Sequence, residues 1–176
     1  ENAAASSRQQ AGFPEIPQSE IDDVVEETLA PLSREGGENP AKVVSDLREM
    51  MQNKAGIIRS GPLLEEALDN LESLGERAAS TSPGGGRVYN PGWHQALEIG
   101  AMVTVSRMCA LAAHRREESR GAHTREDFPE TDYGHWGKVN SVITLSPDGS
   151  MGIDFSSYPE IPGELKSLLD ADDLQE

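Results

Sequence analysis

The sequence has little cysteine and little basic charge, and each shortage excludes a class of protein. It contains one cysteine, Cys109, among 176 residues, so neither an intramolecular disulfide nor a cysteine-based metal site can form. With 15 Lys and Arg against 31 Asp and Glu, the formal net charge is −16. Nucleic acids and anionic lipid surfaces both attract basic footprints, so neither is expected as a partner.

Apolar residues are also scarce. They make up 36% of the sequence, below the roughly 45–50% of globular proteins, a count that also includes Gly. Part of the chain is therefore expected to be arm or loop. No apolar run approaches the roughly 20 residues of a membrane span, and no signal peptide is recognised. The sequence begins at Glu1 without a methionine, which suggests a piece of a longer protein.

Four stretches of the sequence carry apolar residues at helical spacing. Residues 1–18 lack this pattern and are interpreted as a linker or arm. The first predicted helix has Ser19 as its N-cap and is expected to be cut short near Pro31. The fourth helix is the longest and is expected to reach about Glu118. The last three helices begin at cap residues that a proline follows within two positions: Asn39, Ser60 and Asn90.

The longest predicted helix carries an apolar stripe with steps of three or four residues. Stripes of this kind ordinarily face a core, and Cys109 is accordingly interpreted as a small core residue. Two methionines, Met102 and Met108, widen the stripe. Its members are Trp93, Leu97, Ala101, Val105, Cys109 and Ala112.

After Pro129 the pattern changes to an alternation of apolar and polar residues around Asp148-Gly149, which predicts a β-hairpin. The last residues, 162–176, are interpreted as a short acidic helix or a disordered tail. The predicted fold is mainly α: an antiparallel three-helix, spectrin-repeat-like bundle with a preceding short helix or arm and a C-terminal β-hairpin extension. The expected limits are 1–18 for the arm, 19–126 for the bundle and 127–176 for the extension.

Motifs for catalysis or cofactor binding are absent. No two histidines have the helical spacing of a zinc site with a nearby carboxylate. Neither a G-x-S-x-G elbow nor a G-x-G-x-x-G turn occurs, and the glycine-rich residues 82–87 lack the Lys-Ser/Thr of a phosphate-binding loop. The sequence therefore predicts no catalytic residue, no cofactor-binding residue and no metal ligand in this chain.

One basic stretch, "RREESRGAHTREDFP" at 115–129, interrupts the acidic sequence. Residues 87–126 carry six bases and four acids, whereas the flanking segments each have a net charge of −9. The bases could pair with the chain's own carboxylates. Their guanidinium groups could instead bind a dicarboxylate or a second protein surface. The candidate interface residues are Arg115, Arg116, Ser119, Arg120, His123, Arg125 and Asp127.

The longer segment "RREESRGAHTREDFPETD" resembles the signature R-x-E-S-R-G-A-H-x-R-x-D-F/Y-P-x-R-D of succinate dehydrogenase and fumarate reductase flavoprotein subunits. A second segment, "LREMMQNKAGIIRSGPLLEEALDNLESL", is similar to their pattern L-R-x-x-M-x-x-x-x-G-I-x-R-x-x-x-x-L-x-x-A-L. With "LEIGAM", the resemblance covers about residues 40–135. Thr131 stands where many members have arginine. The resemblance identifies the chain as the C-terminal domain of such a subunit.

The resemblance implies a parent subunit that interconverts succinate and fumarate by hydride transfer with FAD and passes electrons to an iron–sulfur subunit. It places the catalytic residues and the FAD-binding glycines upstream, so FAD is expected in the parent and no cofactor in this chain. The signature residues are expected to fasten the bundle to the flavin-binding domain of the same subunit and to the iron–sulfur subunit. Membrane anchor subunits would be contacted only indirectly, with the complex peripheral on the cytoplasmic side of the bacterial inner membrane.

Two alternatives remain open. L-aspartate oxidase has a related bundle, but its signature usually reads S-R-G-x-H-x-T-x-D-x-P. Arg125 stands two residues after His123, which favours the dehydrogenase group. The second alternative is a non-enzymatic acidic helical adaptor without an enzymatic parent.

Overall fold

Three helices of this chain pack as a bundle. The computed structural model describes residues 5–6, 8 and 15–166. Its long helices are α1 (Gln18–Ser33), α2 (Pro40–Lys54), α3 (Gly61–Ala79) and α4 (Pro91–Arg115). Helices α2, α3 and α4 contact one another, and α1 lies against α4. The predicted three-helix bundle with a preceding helix is therefore confirmed, whereas most of the predicted arm lies outside the described residues.

Two of the helix starts use the caps that the sequence predicts. The Asn39 side chain accepts a hydrogen bond from the Ala41 amide at 2.9 Å, and Asn90 Oδ1 accepts one from the Trp93 amide at 3.0 Å. Such bonds satisfy amides that have no partner within the helix. Ser60 occupies the cap position of α3 but makes no capping bond with its side chain. The first amide of α3 is bound by a residue far along the chain, described below.

The predicted start of α1 was wrong, and Pro31 does not cut the helix short. Pro17 occupies the cap position, so Ser19 lies inside the helix, and Pro31 is buried within a helix that continues to Ser33. Packing against α4 explains why the proline does not end the helix: the Trp93 indole donates to the Thr28 carbonyl at 2.8 Å. This tertiary contact holds the turn that Pro31 would otherwise weaken.

The core lies between α2, α3 and α4. Leu71 and Ile99 are each 1% exposed at its centre. Around them Met50, Met51, Leu68 and Met102 are partly buried against the cluster. The buried members of the cluster are Val43, Val44, Leu47, Ala67, Leu71, Leu74, Ala78, Ile99, Val103 and Ala110.

The face of α4 that contacts this core is not the predicted one. The buried residues of α4 are Ile99, Val103, Ala110 and Ala113. By contrast, Leu97 is 41% and Val105 57% exposed, and Ala101 and Cys109 are exposed as well. The prediction that this stripe and Cys109 belong to the core was therefore wrong within this chain. We call Leu97, Ala101, Val105 and Cys109 the open stripe.

By length and composition alone, α4 is long and apolar enough to cross a membrane, contrary to the sequence expectation. Its alanines raise the mean hydropathy together with larger apolar residues such as Ile99, Val103 and Leu111, although polar residues interrupt the run. The core helix of a bundle meets the same criteria, and α4 contacts α1, α2 and α3. The composition of α4 is therefore weak evidence for a membrane span.

Two small β-structures complete the described chain. Strands β1 (Ile58–Arg59) and β2 (Thr124–Arg125) pair in parallel. Strands β3 (Val139–Leu145) and β4 (Met151–Ser157) form an antiparallel hairpin, which confirms the predicted hairpin. Gly149 adopts φ 83° in its turn, a conformation that favours glycine. The hairpin lies against α4, which supplies the support that a lone hairpin needs.

A short 3₁₀-helix (Trp136–Lys138) leads into the hairpin, and α5 (Gly163–Lys166) is the last described element. The buried Trp136 ring packs edge to face on Phe155, with ring centroids 5.0 Å apart. The rest of the predicted C-terminal tail lies outside the described residues. The division of the chain into domains at residue 126 stays a prediction.

Replacing Leu71 by alanine should test the position of the core. Because Leu71 is 1% exposed, the change should lower the free energy of unfolding by about 2–5 kcal/mol. The matched change of Leu97, on the open stripe, should lower it by less than about 1 kcal/mol. Urea unfolding followed by circular dichroism measures both values. Equal losses would show that the open stripe is as well packed as the core.

Candidate functional site

The basic stretch folds into a loop that follows α4, and we call residues 116–132 the signature loop. Helix α4 ends at Arg115, and Arg116 is already extended, with φ −89° and ψ 102°. The backbones of Arg120 and His123 then exchange two hydrogen bonds of 2.8 and 3.0 Å. Gly121, inside this turn, has φ 57°. The turn therefore needs a residue that tolerates the left-handed region, and glycine supplies it.

Arg125 reaches back from β2 to the carboxyl end of α4. Its Nη1 atom donates to the carbonyl oxygens of Ala113 and His114, both at 2.9 Å, and to that of Arg116 at 3.2 Å. The last carbonyls of a helix lack intrahelical partners and carry the negative end of its dipole. The Arg125 guanidinium, in a residue only 2% exposed, therefore satisfies and neutralises this helix end.

Asp127 connects the same arginine to the start of α3. Its two carboxylate oxygens accept from Arg125 Nε and Nη2, each at 2.8 Å, a bidentate geometry that favours Arg over Lys. Oδ2 also accepts from the Gly61 amide at 2.9 Å, at the positive end of the α3 dipole. A Cβ on Gly61 would lie 3.0 Å from Asp127 Oδ2, so a glycine lets the carboxylate approach this closely.

Glu118 is fully buried and forms a second centre of charge in the signature loop. Its Oε1 accepts from Arg116 Nε at 2.8 Å and from Arg120 Nε at 3.1 Å. Its Oε2 accepts from the Asp132 amide at 2.8 Å. Arg116 also donates to the Trp136 carbonyl at 3.1 Å. One carboxylate thus links the start of the loop, its end and the approach to the hairpin.

Ser119 fastens the two limbs of the loop to each other. Its hydroxyl accepts from the Arg125 amide at 2.9 Å and donates to the Phe128 carbonyl at 2.9 Å. The Ser119 carbonyl accepts from the Thr131 hydroxyl at 2.6 Å. The Ser119 hydroxyl therefore accepts one hydrogen bond and donates another between neighbouring backbone segments, a role that alanine could not fill.

His123 lies between the signature loop and β1. Its Nε2 is 3.1 Å from the Arg116 carbonyl, which can only accept, so we assign the hydrogen to Nε2. Its Nδ1 is then free to accept from Arg59 Nη1 at 3.3 Å. Burial lowers the pKa of His123, a backbone hydrogen bond with Arg116 opposes this, and the charges of Arg59, Arg116 and Arg125 lower it further. The net lowering favours the neutral ring.

The carboxylates of Glu118 and Asp127 stay ionised for a common reason. Burial raises the pKa of Glu118, but hydrogen bonds from Arg120 and Arg116 outweigh it, and the net pKa lies below its ordinary value. Hydrogen bonds from Arg125 hold the pKa of Asp127 far below its usual range, although burial opposes them. Both groups therefore act as fixed negative charges around which the arginines are placed.

A cavity of about 520 Å³ opens beside the signature loop. Its polar lining consists of Arg59, Arg116, His123 and, from the hairpin, Ser141, while Met51, Cys109 and Ala112 contribute apolar surface. Cys109 also belongs to the open stripe, so the cavity and the stripe form one continuous surface.

The structure brings most of the predicted interface residues into one hydrogen-bonded loop. Arg116, Arg120 and Arg125 pair with carboxylates of the same loop, which is the first of the two uses that the sequence left open. Ser119, His123 and Asp127 join the same network. Arg115 is exposed, and its side chain has no partner in the described part of the chain. The assignment of these seven residues to an interface stays a prediction.

Two residues of the site were missing from the predicted set. Glu118 was passed over because an acidic residue inside a basic stretch resembles a solvated neighbour, although the signature places a glutamate at this position. Arg59 lies 57 residues before Arg116 in the sequence and reaches the loop only because β1 pairs with β2. The arginine of the G-I-x-R pattern was the signal that could have pointed to it. No group of three or more metal-ligating side chains is found among the described residues.

The bundle and the signature loop define the class of protein. A family model described as the fumarate reductase flavoprotein C-terminus matches residues 44–160. This range includes α3, α4, the signature loop and the hairpin. The chain belongs to the family of C-terminal domains of succinate dehydrogenase and fumarate reductase flavoprotein subunits, which confirms the resemblance seen in the sequence.

Individual relatives include members of this family and of the related L-aspartate oxidases. The fumarate reductase flavoprotein subunit of Mycobacterium tuberculosis is 34% identical over 127 residues, covering 70% of this chain and 22% of that protein. L-aspartate oxidase of Streptomyces coelicolor is 32% identical over 123 residues, covering 70% of this chain and 21% of the oxidase. The chain thus spans about a fifth of the length of these curated relatives.

The fold also agrees with solved structures. A chain of Mycobacterium smegmatis Sdh1 in complex with UQ1 superimposes with a TM-score of 0.87 and 33% sequence identity, covering 98% of this chain and 30% of that one. A chain of a quinol fumarate reductase with menaquinol molecules superimposes with a TM-score of 0.75 and 25% identity, covering 87% of this chain and 27% of that one.

Replacing Arg125 by lysine should disrupt the join between α3 and α4. A lysine ammonium cannot form the bidentate pair with Asp127 and also reach the carbonyls of α4. We expect the free energy of unfolding to fall by about 2–4 kcal/mol, since one partner of a buried pair is left incompletely bound. The same change at exposed Arg115 should cost less than about 0.5 kcal/mol. Urea unfolding measures both, and equal effects would contradict the role of Arg125.

Replacing Glu118 by glutamine should alter stability in a pH-dependent way. At pH 7 we expect a loss of about 1–3 kcal/mol, because two arginines lose their charged acceptor. The pKa of Glu118 is lowered by folding, so below the ordinary value of about 4.3 the unfolded chain binds more protons. The contribution of Glu118 is therefore complete above that pH and is lost as the pH falls.

The difference between wild type and Glu118→Gln should accordingly narrow between neutral pH and about pH 3, where the free carboxyl is protonated. Urea unfolding at a series of pH values measures this difference. Glu117→Gln, at the exposed neighbouring position, is the matched control and should change little at any pH. A difference that stays constant across the series would show that the Glu118 charge does not carry the effect.

Proposed function

We propose that this chain is the C-terminal helical domain of a flavoprotein subunit that interconverts succinate and fumarate. The subunit exchanges a hydride with FAD and passes electrons to an iron–sulfur subunit. In this proposal the domain is a scaffold and docking element, while the flavin and the catalytic residues belong to the rest of the subunit. Family membership and the relatives of similar sequence support the proposal.

The open stripe is the observation that carries the docking role. A helix at the centre of the bundle exposes Leu97 at 41% and Val105 at 57%, although apolar side chains of this kind usually gain free energy from burial. These residues form a row rather than scattered single positions, which is typical of a surface that another protein covers. This chain covers 30% of the solved mycobacterial chain, and in this proposal the remainder of such a subunit covers the open stripe.

The signature loop contributes to docking mainly by fixing the shape of this end of the domain. Arg125 is almost fully buried by its own chain, so it cannot also bind a partner. The side chains of Arg116 and Arg120 are 23% and 35% exposed, and Arg115 is exposed. We therefore assign direct contact with a partner to these three arginines and a positioning role to the rest of the predicted set.

The dehydrogenase and reductase group is favoured over L-aspartate oxidase by the contacts of Arg125. The oxidase signature usually has threonine at this position, and a threonine side chain is too short to reach the α4 carbonyls and Asp127 together. The family model that matches the chain carries the fumarate reductase description. Family membership also stands against an adaptor without an enzymatic parent.

The partners that follow from this proposal are the flavin-binding domain of the same subunit and the iron–sulfur subunit. The domain would reach membrane anchor subunits only through them, as a peripheral part of a complex on the cytoplasmic side of the bacterial inner membrane. Structures named for UQ1 and for menaquinol among the relatives support a quinone-linked complex. The net charge of −16 supports a domain that contacts protein rather than anionic lipid.

The reactivity of Cys109 tests the docking role. This thiol, the only one in the 176 residues, is exposed on the open stripe. N-ethylmaleimide should modify Cys109 at least about tenfold more slowly in the whole flavoprotein subunit than in the 176-residue chain. The reason is that a covered group reacts only after local opening. Mass spectrometry of the Cys109 peptide measures the rate, and the denatured proteins serve as the control. Equal rates in the two native proteins would refute the proposed docking.

A further inference from the structure

Arg59 is a half-buried base at this end of the domain that has no carboxylate partner among the described residues. The three paired arginines of the signature loop use the carboxylates of Glu118 and Asp127. Arg59 is half-buried, and its Nε atom is buried with no hydrogen-bond partner among the described residues. Its one side-chain contact of this kind is the 3.3 Å approach of Nη1 to His123.

That contact cannot neutralise the guanidinium. Arginine remains protonated in proteins, whereas the His123 ring accepts through Nδ1 and is therefore uncharged. A buried donor without an acceptor and a buried charge without a counter-ion are both unfavourable. The positive charge of Arg125, which is paired with Arg59 in the β1–β2 register, makes this more unfavourable. Among the described residues, Arg59 therefore lacks an anionic partner.

The cavity beside Arg59 supplies the space for such an anion. Arg59, Arg116 and His123 line it, and none of the described residues that line it is Asp or Glu. The charged side chains that line it, Arg59 and Arg116, are both positive, whereas the chain as a whole has a net charge of −16. The local charge at the cavity is therefore opposite to that of the chain. Its apolar wall includes Met51 and Cys109, so its mouth continues into the open stripe.

We infer that this cavity is a socket for a carboxylate side chain of the rest of the flavoprotein subunit. When that part of the subunit covers the open stripe, an Asp or Glu enters the cavity and accepts hydrogen bonds from Arg59. The inference rests on the proposed function. A protein side chain fits better than a free carboxylate because the socket and the open stripe form one surface, and because this chain matches only 30% of the length of the related mycobacterial chain.

The effect of Arg59→Met should differ in sign between the domain alone and the whole subunit. In the 176-residue chain the change removes a half-buried charge that has no carboxylate partner among the described residues, so the Tm should stay the same or rise. In the whole subunit it leaves the entering carboxylate without a partner, so the protection of Cys109 from N-ethylmaleimide should fall by about tenfold or more. Arg59→Lys, which keeps the charge, should retain part of the protection, and Arg48→Met is the control, because Arg48 is an exposed arginine of α2 that the proposed docking does not use.

The outcomes separate this inference from the proposal on which it rests. If Cys109 is protected in the whole subunit but Arg59→Met leaves the protection unchanged, the socket is refuted and the docking stands. If the wild-type thiol is not protected at all, both fall. If succinate added to the 176-residue chain protects Cys109, and Arg59→Met abolishes that effect, the cavity binds a free carboxylate and the assignment to a partner side chain is wrong. Circular dichroism of each variant verifies that it has folded.

Discussion

Arg125 and Asp127 form the contact on which this end of the molecule depends, because they join the carboxyl end of α4 to the amino end of α3. Each charge lies at the helix end whose dipole favours it. The bidentate geometry fixes the orientation of the Arg125 guanidinium relative to the Asp127 carboxylate. The backbone reinforces this join: the Thr124 amide donates to Ile57 at 3.1 Å, and the Glu126 amide donates to Arg59 at 2.9 Å. Two helix ends, a strand pair and the signature loop are therefore held as one unit.

This join explains why a basic stretch in an acidic protein need not be an open binding surface. Arg116, Arg120 and Arg125 are all occupied by acceptors of their own chain, with Glu118 and Asp127 as the two negative centres. What the described part of the domain leaves uncovered is different in kind: an apolar row along α4, the exposed Arg115, and Arg59, which has no carboxylate partner there. A docking surface of this composition combines apolar area with a few charged contacts, and such contacts contribute more to specificity than to affinity.

The helices and the hairpin were predictable because their signals are local. A cap residue with a proline behind it starts a helix wherever it stands, and Asp148-Gly149 turns a chain between two alternating strands. The prediction that α1 starts at Ser19 was wrong, because Pro17 occupies the cap position. Pro31 does not end the helix, and the turn before it is bound by Trp93 of α4. The chemistry of the loop was predictable only in part: its bases were evident, but Glu118 and Arg59 gained their roles from neighbours distant in the sequence.

The sequence by itself determined the order of helices, the hairpin and, through its signature, the family. Only the tertiary structure decided which face of α4 is covered and which arginines have a carboxylate partner. The physical reason is that helical periodicity shows where apolar residues repeat, whereas burial depends on which other elements are present to cover them. In the same way, a guanidinium carries its charge in any fold, but the path of the chain alone brings it to a helix end, to a carboxylate, or, for Arg59, to neither.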